Sequence, residues 1–284
     1  MDGYEGRMGR PTEHERRQRF AEEARSERPD LALLCLLVAA EADASLDEAG
    51  MEAAEMELDR LAGLLPFRPG GARGWASAVS GLLGGRCGFG GSPGDYRRLE
   101  SSLLHEVLRR RCGLPILLSV VWIEVARRAG APVYGVALPG HFVVGFGSGE
   151  ERVLVDPFGA GRLLTEADAE LLVAGATGEP LGPSAQAPAD PPAIVARILN
   201  NIRAWAAARP ERTDVQLWAV ELSLLLPSHA ARLRFERAQL LVRRGDFLGG
   251  AAEMEAYAEV VAVVDPAAAK TLRGEARAAR ARLN

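Results

Sequence analysis

Cys112-Gly113-Leu114-Pro115-Ile116-Leu117-Leu118-Ser119-Val120-Val121-Trp122-Ile123-Glu124-Val125-Ala126-Arg127-Arg128-Ala129-Gly130-Ala131-Pro132 reads as one helix with both ends marked. From Ile116 to Ala129 the run is apolar nearly all round, as expected of a helix enclosed on every side. Pro115 suits the first helical position, where its missing N–H costs little. Gly130 suits the position just past the last turn, and Pro132 follows shortly after it. A central buried helix is the expectation.

Strand signals come next. Val133 to Leu138 is β-prone, Phe142, Val144 and Phe146 alternate with His141, Val143 and Gly145, and Arg152 to Val155 is a further strand beyond the Gly147–Glu150 turn. Helix followed by antiparallel strands implies an α+β domain. If Ser148-Gly149 is a two-residue turn, Gly147 pairs with Glu150, and the same register sets His141 directly opposite Asp156, with Cβ atoms about 4.5–5.5 Å apart. An Asp that holds an imidazole in one tautomer is the orienting half of a catalytic triad. The nucleophile is missing. Cysteine enzymes of this geometry place the thiol at a helix N-terminus, where the dipole and a nearby imidazolium favour the thiolate. Here that position is Pro115.

Gly130-Ala131-Pro132, His141 and Asp156-Pro157 resemble the transglutaminase-like pattern of Cys, helix, Gly-Ile-Pro, strand, His, strand, Asp-Pro. The family's usual spacing back from Gly130 puts its cysteine at Pro115. A closer resemblance is to the SirB family, transglutaminase-like proteins with a tetratricopeptide tail. It is carried by Gly88-Phe89-Gly90-Gly91, Tyr96, Val107 to Ile116, Pro139-Gly140-His141-Phe142 and Val155-Asp156-Pro157-Phe158-Gly159. Pro29-Asp30-Leu31-Ala32 and Leu58-Asp59-Arg60-Leu61-Ala62 fit as well. The resemblance covers residues 29–284, and its core is 88–164. This sequence departs from the family in having Ser101 where Asn is usual, and Gly90-Gly91 where Gly-Asn is usual. The resemblance implies a degenerate transglutaminase-like (papain-like) α+β domain and an all-α tetratricopeptide-like domain after it; members of the family typically lack the nucleophile too, and it brings no established general activity with it.

Cys112 is the alternative nucleophile. It lies three residues before Pro115, within about 10 Å by chain reach, and Arg109 to Arg111 would lower its pKa if they lie close. The bland alternative is a small, semi-buried residue in an arginine-rich turn. His141 and Asp156 have a bland reading too, as a structural pair that needs no catalysis. Cys35 and Cys87 read as structural. His14, His105 and His229 are scattered, and His105-Glu106 lacks a second His at i+4, so no metal site is expected. Trp122, Trp205 and Trp218 fall in helical apolar patterns and read as core.

Outward from this centre, residues 1–28 are Arg- and Glu-rich and read as a solvated helix or a polar tail. Asp30 is a reasonable N-cap for an apolar helix from Leu31. Met51, Ala54, Leu58, Leu61 and Leu65 form a helical stripe. Residues 66–95, with Pro66, Pro69, Pro93 and many glycines, read as loop-rich. The run Gly88 to Gly94 is no phosphate loop, since no strand precedes it and no Gly-Lys-Ser/Thr follows. Helical period returns at Arg98. The transglutaminase-like domain is expected over 29–175, a Pro/Ala-rich linker over 176–192, and the tetratricopeptide-like domain over 193–284. In the last, Pro192 to Ala208, Asp214 to Leu226, Ala230 to Arg244 and Phe247 to Val264 are successive amphipathic segments.

Composition limits the function classes. The 284 residues are 48% hydrophobic and 25% charged, with 34 basic and 38 acidic groups and a net charge of -4. That suits a chain with real cores and gives no reason to expect nucleic acid. Lys270 is the only lysine. Three unspaced cysteines point to a reducing cytoplasm, and no apolar stretch of the first half is long enough for a bilayer. The leading expectation is a non-catalytic module that binds a protein or peptide through its helical domain, without cofactor, metal or membrane. The alternative is a cysteine-dependent hydrolase or acyltransferase using Cys112, His141 and Asp156.

Overall fold

The computed structural model describes residues 12–66, 70–178 and 187–283. By its contacts the chain divides into two compact units, Met1–Ile194 and Val195–Asn284.

The first unit is built around α6 (Pro115–Arg128), whose residues from Pro115 to Ala126 are all buried. Its ends are as the sequence marks them. Pro115 is the first helical residue, and Gly130 has φ 84. The Ala131 N–H reaches back to the Ala126 carbonyl at 2.9 Å, closing the last turn. Around α6 pack α2 (Leu31–Ala42), α3 (Glu48–Ala62), α4 (Gly71–Ser80) and α5 (Leu104–Arg110). The Asp30 side chain accepts the Leu33 N–H at 3.0 Å, so it caps α2 as expected.

Against α6 lies an antiparallel sheet of β1 (Val133–Val136), β2 (Val143–Phe146), β3 (Val153–Asp156), β4 (Arg162–Leu164) and β5 (Pro188–Ala189). The strand order is β4-β3-β2-β1-β5. Its other face carries α7 (Glu166–Thr177), whose Ala169 and Val173 pack with Val136, Leu138, Val143 and Leu154. Helices followed by a small antiparallel sheet make this an α+β unit.

Two expectations need correction. The glycine-rich span 66–95 is not mainly loop. It holds α4, with Ala72, Ala76 and Val79 buried, and then a π-helical turn, Gly81–Arg86. One glycine there serves close approach: a Cβ on Gly84 would fall 1.8 Å from the Ala160 carbonyl oxygen. Pro69 lies outside the described residues. Nor is the polar N-terminal stretch wholly solvated. Residues 1–11 lie outside the described residues, but α1 (Glu13–Ala24) buries Phe20 and Ala24 and pairs Arg17 with Glu41. Of the expected linker, 179–186 lie outside the described residues, while Pro188–Ala189 adds a strand to the sheet.

The second unit is all helical: most of α8 (Pro191–Ala207), then α9 (Thr213–Leu225), α10 (Arg232–Arg243), α11 (Phe247–Ala262) and α12 (Pro266–Ala281). From α9 onward successive helices pack as neighbours, α10, α11 and α12 through small side chains such as Ala238, Ala251, Ala258, Ala269 and Ala276. Ion pairs tie one helix to another, Arg237 to Glu221 at 3.0 Å and Arg273 to Glu259 at 2.9 Å.

Candidate functional site

His141 is delivered by a turn that only glycine can make. Gly140 has φ 72, and a Cβ there would meet the Ala176 Cβ at 2.3 Å. The His141 N–H closes the turn on the Leu138 carbonyl. The central helix then holds the next residue, because buried Ser119 donates its hydroxyl to the Phe142 carbonyl at 3.3 Å.

Asp156 ends β3 with its side chain buried. His141 Nε2 lies 3.0 Å from Asp156 Oδ1. The same oxygen accepts the Phe158 N–H at 3.0 Å, which sets the carboxylate's orientation. The two residues therefore meet, though not by the register derived for them. The observed pairs are Val144 with Val155 and Phe146 with Val153, since the connection passes through a 3-10 turn at Gly149–Glu151 instead of a two-residue turn. The slip is two residues. Side chains alternate with period two, so both stay on the same face and meet diagonally.

The turn after Asp156 is clamped from the far side. Gly91 N–H donates to the Phe158 carbonyl at 3.0 Å, and a Cβ on Gly91 would strike the Phe158 ring at 2.0 Å. Phe158 in turn touches the imidazole edge to face, with centroids 6.3 Å apart, and Tyr96 at 6.0 Å. Burial, then the Asp156 charge, push the Tyr96 phenol above its ordinary pKa.

Pro115 occupies the first position of α6 and is buried, so the helix N-terminus presents no nucleophile of its own. The Asp95 carboxylate acts on the Cys112 thiol. Burial and then the Asp95 charge raise its pKa, and outweigh Arg110 and Arg98, which act the other way. The expected lowering by neighbouring arginines is thus reversed, because burial, and after it the Asp95 charge, outweighs them. Asp95 is a residue that the sequence reading passed over. It accepts from the Ser92 N–H and hydroxyl at 2.9 Å and from Ser101 at 3.0 Å, with Arg110 at 3.7 Å. Burial alone would raise its pKa, but these bonds hold it below the usual carboxylate range. Ser92-Pro93-Gly94-Asp95 has the Ser-x-x-Asp spacing of a capping box, a signal present in the sequence.

Cys35 is buried, and burial followed by the Glu124 charge pushes its thiol well up. His105 faces Asp43 at 3.2 Å. Among the described residues no group of three or more His, Cys, Asp or Glu is placed to hold a metal ion, and no helix is long and apolar enough to cross a membrane.

Comparison with known proteins places these features. The transglutaminase-like superfamily profile matches residues 31–200, and the tetratricopeptide repeat profile matches 202–284. A UPF0162 protein of Xylella fastidiosa (strain Temecula1) is 33% identical over 192 residues, which is 65% of this chain and 67% of that protein. F-box only protein 21 of Mus musculus is 33% identical over 104 residues, 34% of this chain and 17% of its own. Menin, in a crystal structure that reveals its binding site for the Mixed Lineage Leukemia (MLL) protein, aligns with 89% of this chain and 71% of its own, at 14% identity and a TM-score of 0.44. With its profile matched across the central helix, the sheet and both members of the His141–Asp156 pair, the chain belongs to the transglutaminase-like superfamily and continues into tetratricopeptide repeats.

Proposed function

We propose that this is a non-catalytic transglutaminase-like protein of the SirB type, acting in the cytoplasm as a protein-interaction or regulatory module. The observation that carries the reading is Pro115 at the first position of α6, where a thiol would gain the helix dipole. The nearest thiol in sequence, Cys112, has its thiolate disfavoured by burial and then by the Asp95 charge. Tetratricopeptide repeats generally mediate protein–protein interactions, and stacked helices suit that role. The three cysteines are free, which fits a reducing compartment.

The second reading is a cysteine-dependent hydrolase or acyltransferase using Cys112, His141 and Asp156. It is favoured by the 3.0 Å His141–Asp156 contact, which has the form of an oriented base. Alkylation rate against pH, followed for each cysteine by mass spectrometry, separates the two. On the non-catalytic reading Cys112 inflects above the ordinary thiol value of about 8.5, with the same profile in His141→Ala. A Cys112 that reacts as a thiolate well below that value, and loses this in His141→Ala, would overturn the proposal in favour of the enzyme.

A further inference from the structure

Residues 92–98 are an exposed stretch with one buried anchor. Six of the seven are exposed, and Asp95 alone is buried. They form the 3-10 turn Pro93–Arg97, in which the Asp95 carboxylate accepts the Ser92 N–H and hydroxyl at 2.9 Å. Toward the body of the unit the same carboxylate accepts the hydroxyl of buried Ser101 at 3.0 Å and lies 3.7 Å from Arg110. A short, exposed stretch anchored in this way belongs to the low-stability end of a fold, where local opening costs least.

This stretch carries Tyr96. The Tyr96 residue is 54% exposed, and its ring meets Phe158 edge to face at 6.0 Å. Phe158 also meets the His141 ring, at 6.3 Å. The rings stand in the order Tyr96, Phe158, His141 from solvent inward, and the side chains behind them are nearly covered, His141 at 11% and Asp156 at 7% exposure. The Phe158 ring has a fixed wall in Gly91, where a Cβ would strike it at 2.0 Å. Tyr96 is the movable wall, since it rides on the anchored turn. Burial and then the Asp156 charge raise the Tyr96 pKa, so the phenol lies within the field of the pair behind it.

We propose that residues 92–98 form a strap that closes the His141–Asp156 pair, with Tyr96 as its lid and Asp95 as its latch. Closed, the strap holds Phe158 against the imidazole and keeps solutes from it. Released at Asp95, it carries Tyr96 away, and Phe158 is then free to turn from the imidazole about its own χ1. The strap decides when the pair can be reached, whether or not the pair takes part in catalysis.

The test is the rate at which diethyl pyrocarbonate modifies each histidine of the full chain, resolved by peptide mass spectrometry. His14 and His229 are exposed and serve as references. In the unaltered chain His141 is expected to react about 10-fold or more slowly than they do, as for a group reached through local opening. Tyr96→Ala should remove most of that difference. Tyr96→Phe, which keeps the ring, should preserve it, and Ser101→Ala, which weakens the latch, should fall between. Circular dichroism melts check that the variants fold. If Tyr96→Ala does not, Ser101→Ala decides, together with a rise of the His141 rate in urea below the unfolding transition. A His141 that reacts as fast as the references in the unaltered chain, or whose rate neither Tyr96→Ala nor Ser101→Ala changes, would overturn the strap. An effect of Tyr96→Ala without one of Ser101→Ala would overturn Asp95 as its latch. None of these results bears on the non-catalytic reading, which is tested at Cys112.

Discussion

At Cys112 two opposite influences meet, and the outcome depends on which charged neighbour dominates. Arg110 and Arg98 favour the thiolate; burial and Asp95 disfavour it, and they win. Asp95→Asn removes the second of these, so the Cys112 thiol should titrate at lower pH and alkylate faster near pH 8. The same change weakens a buried acceptor of Ser92 and Ser101, which should cost about 2 kcal/mol in urea unfolding. An unchanged alkylation profile would mean that Asp95 does not set the thiol's state. Little of this was readable beforehand: Cys112 and its arginines adjoin in sequence, whereas Asp95 comes from 17 positions earlier and meets Cys112 only in the folded chain. His141 and Asp156 were readable, because their partnership depends on face and not on register. The derived turn was wrong by two residues, and the pair survived because two is the period of a strand.

At the scale of elements, two contacts hold the scaffold around the site. The π-helical turn Gly81–Arg86 lies against the turn that follows Asp156, with Gly84 facing the Ala160 carbonyl. Gly84→Ala should therefore cost about 2–4 kcal/mol, since backbone meets backbone and neither side has a rotamer to yield. Urea unfolding would read it, and a near-neutral result would show that the turn can move away. The second contact ties α3 to α6. Arg128 bonds Glu124 and Glu55, and reaches Asp59 at 2.8 Å, while the Glu124 side chain is fully buried. Burial raises the Glu55 carboxyl pKa, and Arg128 opposes that rise. Arg128→Ala leaves the buried Glu124 carboxylate to Arg127 alone, 2.6 Å away, and should cost about 1–3 kcal/mol, whereas Glu124→Leu/Arg128→Met should recover most of it. If the double variant were no more stable than the single one, the loss would lie in packing and not in the weakened charge pairing. Periodicity identified both helices and gave no hint of this tie, because it joins side chains some seventy positions apart.

Across the whole molecule, several carboxylates share one direction of shift. Asp43 is held low by hydrogen bonds from Ser45. Asp95 is held low despite its burial, and Glu106 is held low by Arg109. A carboxylate whose folded pKa is depressed adds stability above its unfolded value, about 3.9 for Asp and 4.3 for Glu. That stability is lost as pH falls through the lower, folded value. Stability should accordingly hold near neutrality and decline below about pH 4, with Asp95→Asn showing a shallower decline. Urea midpoints at pH 7 and pH 3.5 measure both, and equal declines in the two proteins would assign the acid sensitivity to other groups. Solvent screens the more exposed pairs, so Asp95 is expected to contribute the largest part among these.

The order of helix, strand, His, strand and Asp, the buried central helix, the proline at that helix's first position and the helical tail all follow from the sequence alone. Each rests on a short-range period, a cap or a turn residue, which neighbouring positions specify between themselves. Tertiary structure alone decided the rest. It brought the Asp95 charge to bear on Cys112, and turned a glycine-rich span into α4 and a close-packed π-helical turn. Those outcomes depend on which distant side chains arrive at the same point. The burial and local electric field at that point exist only once the chain has closed around it.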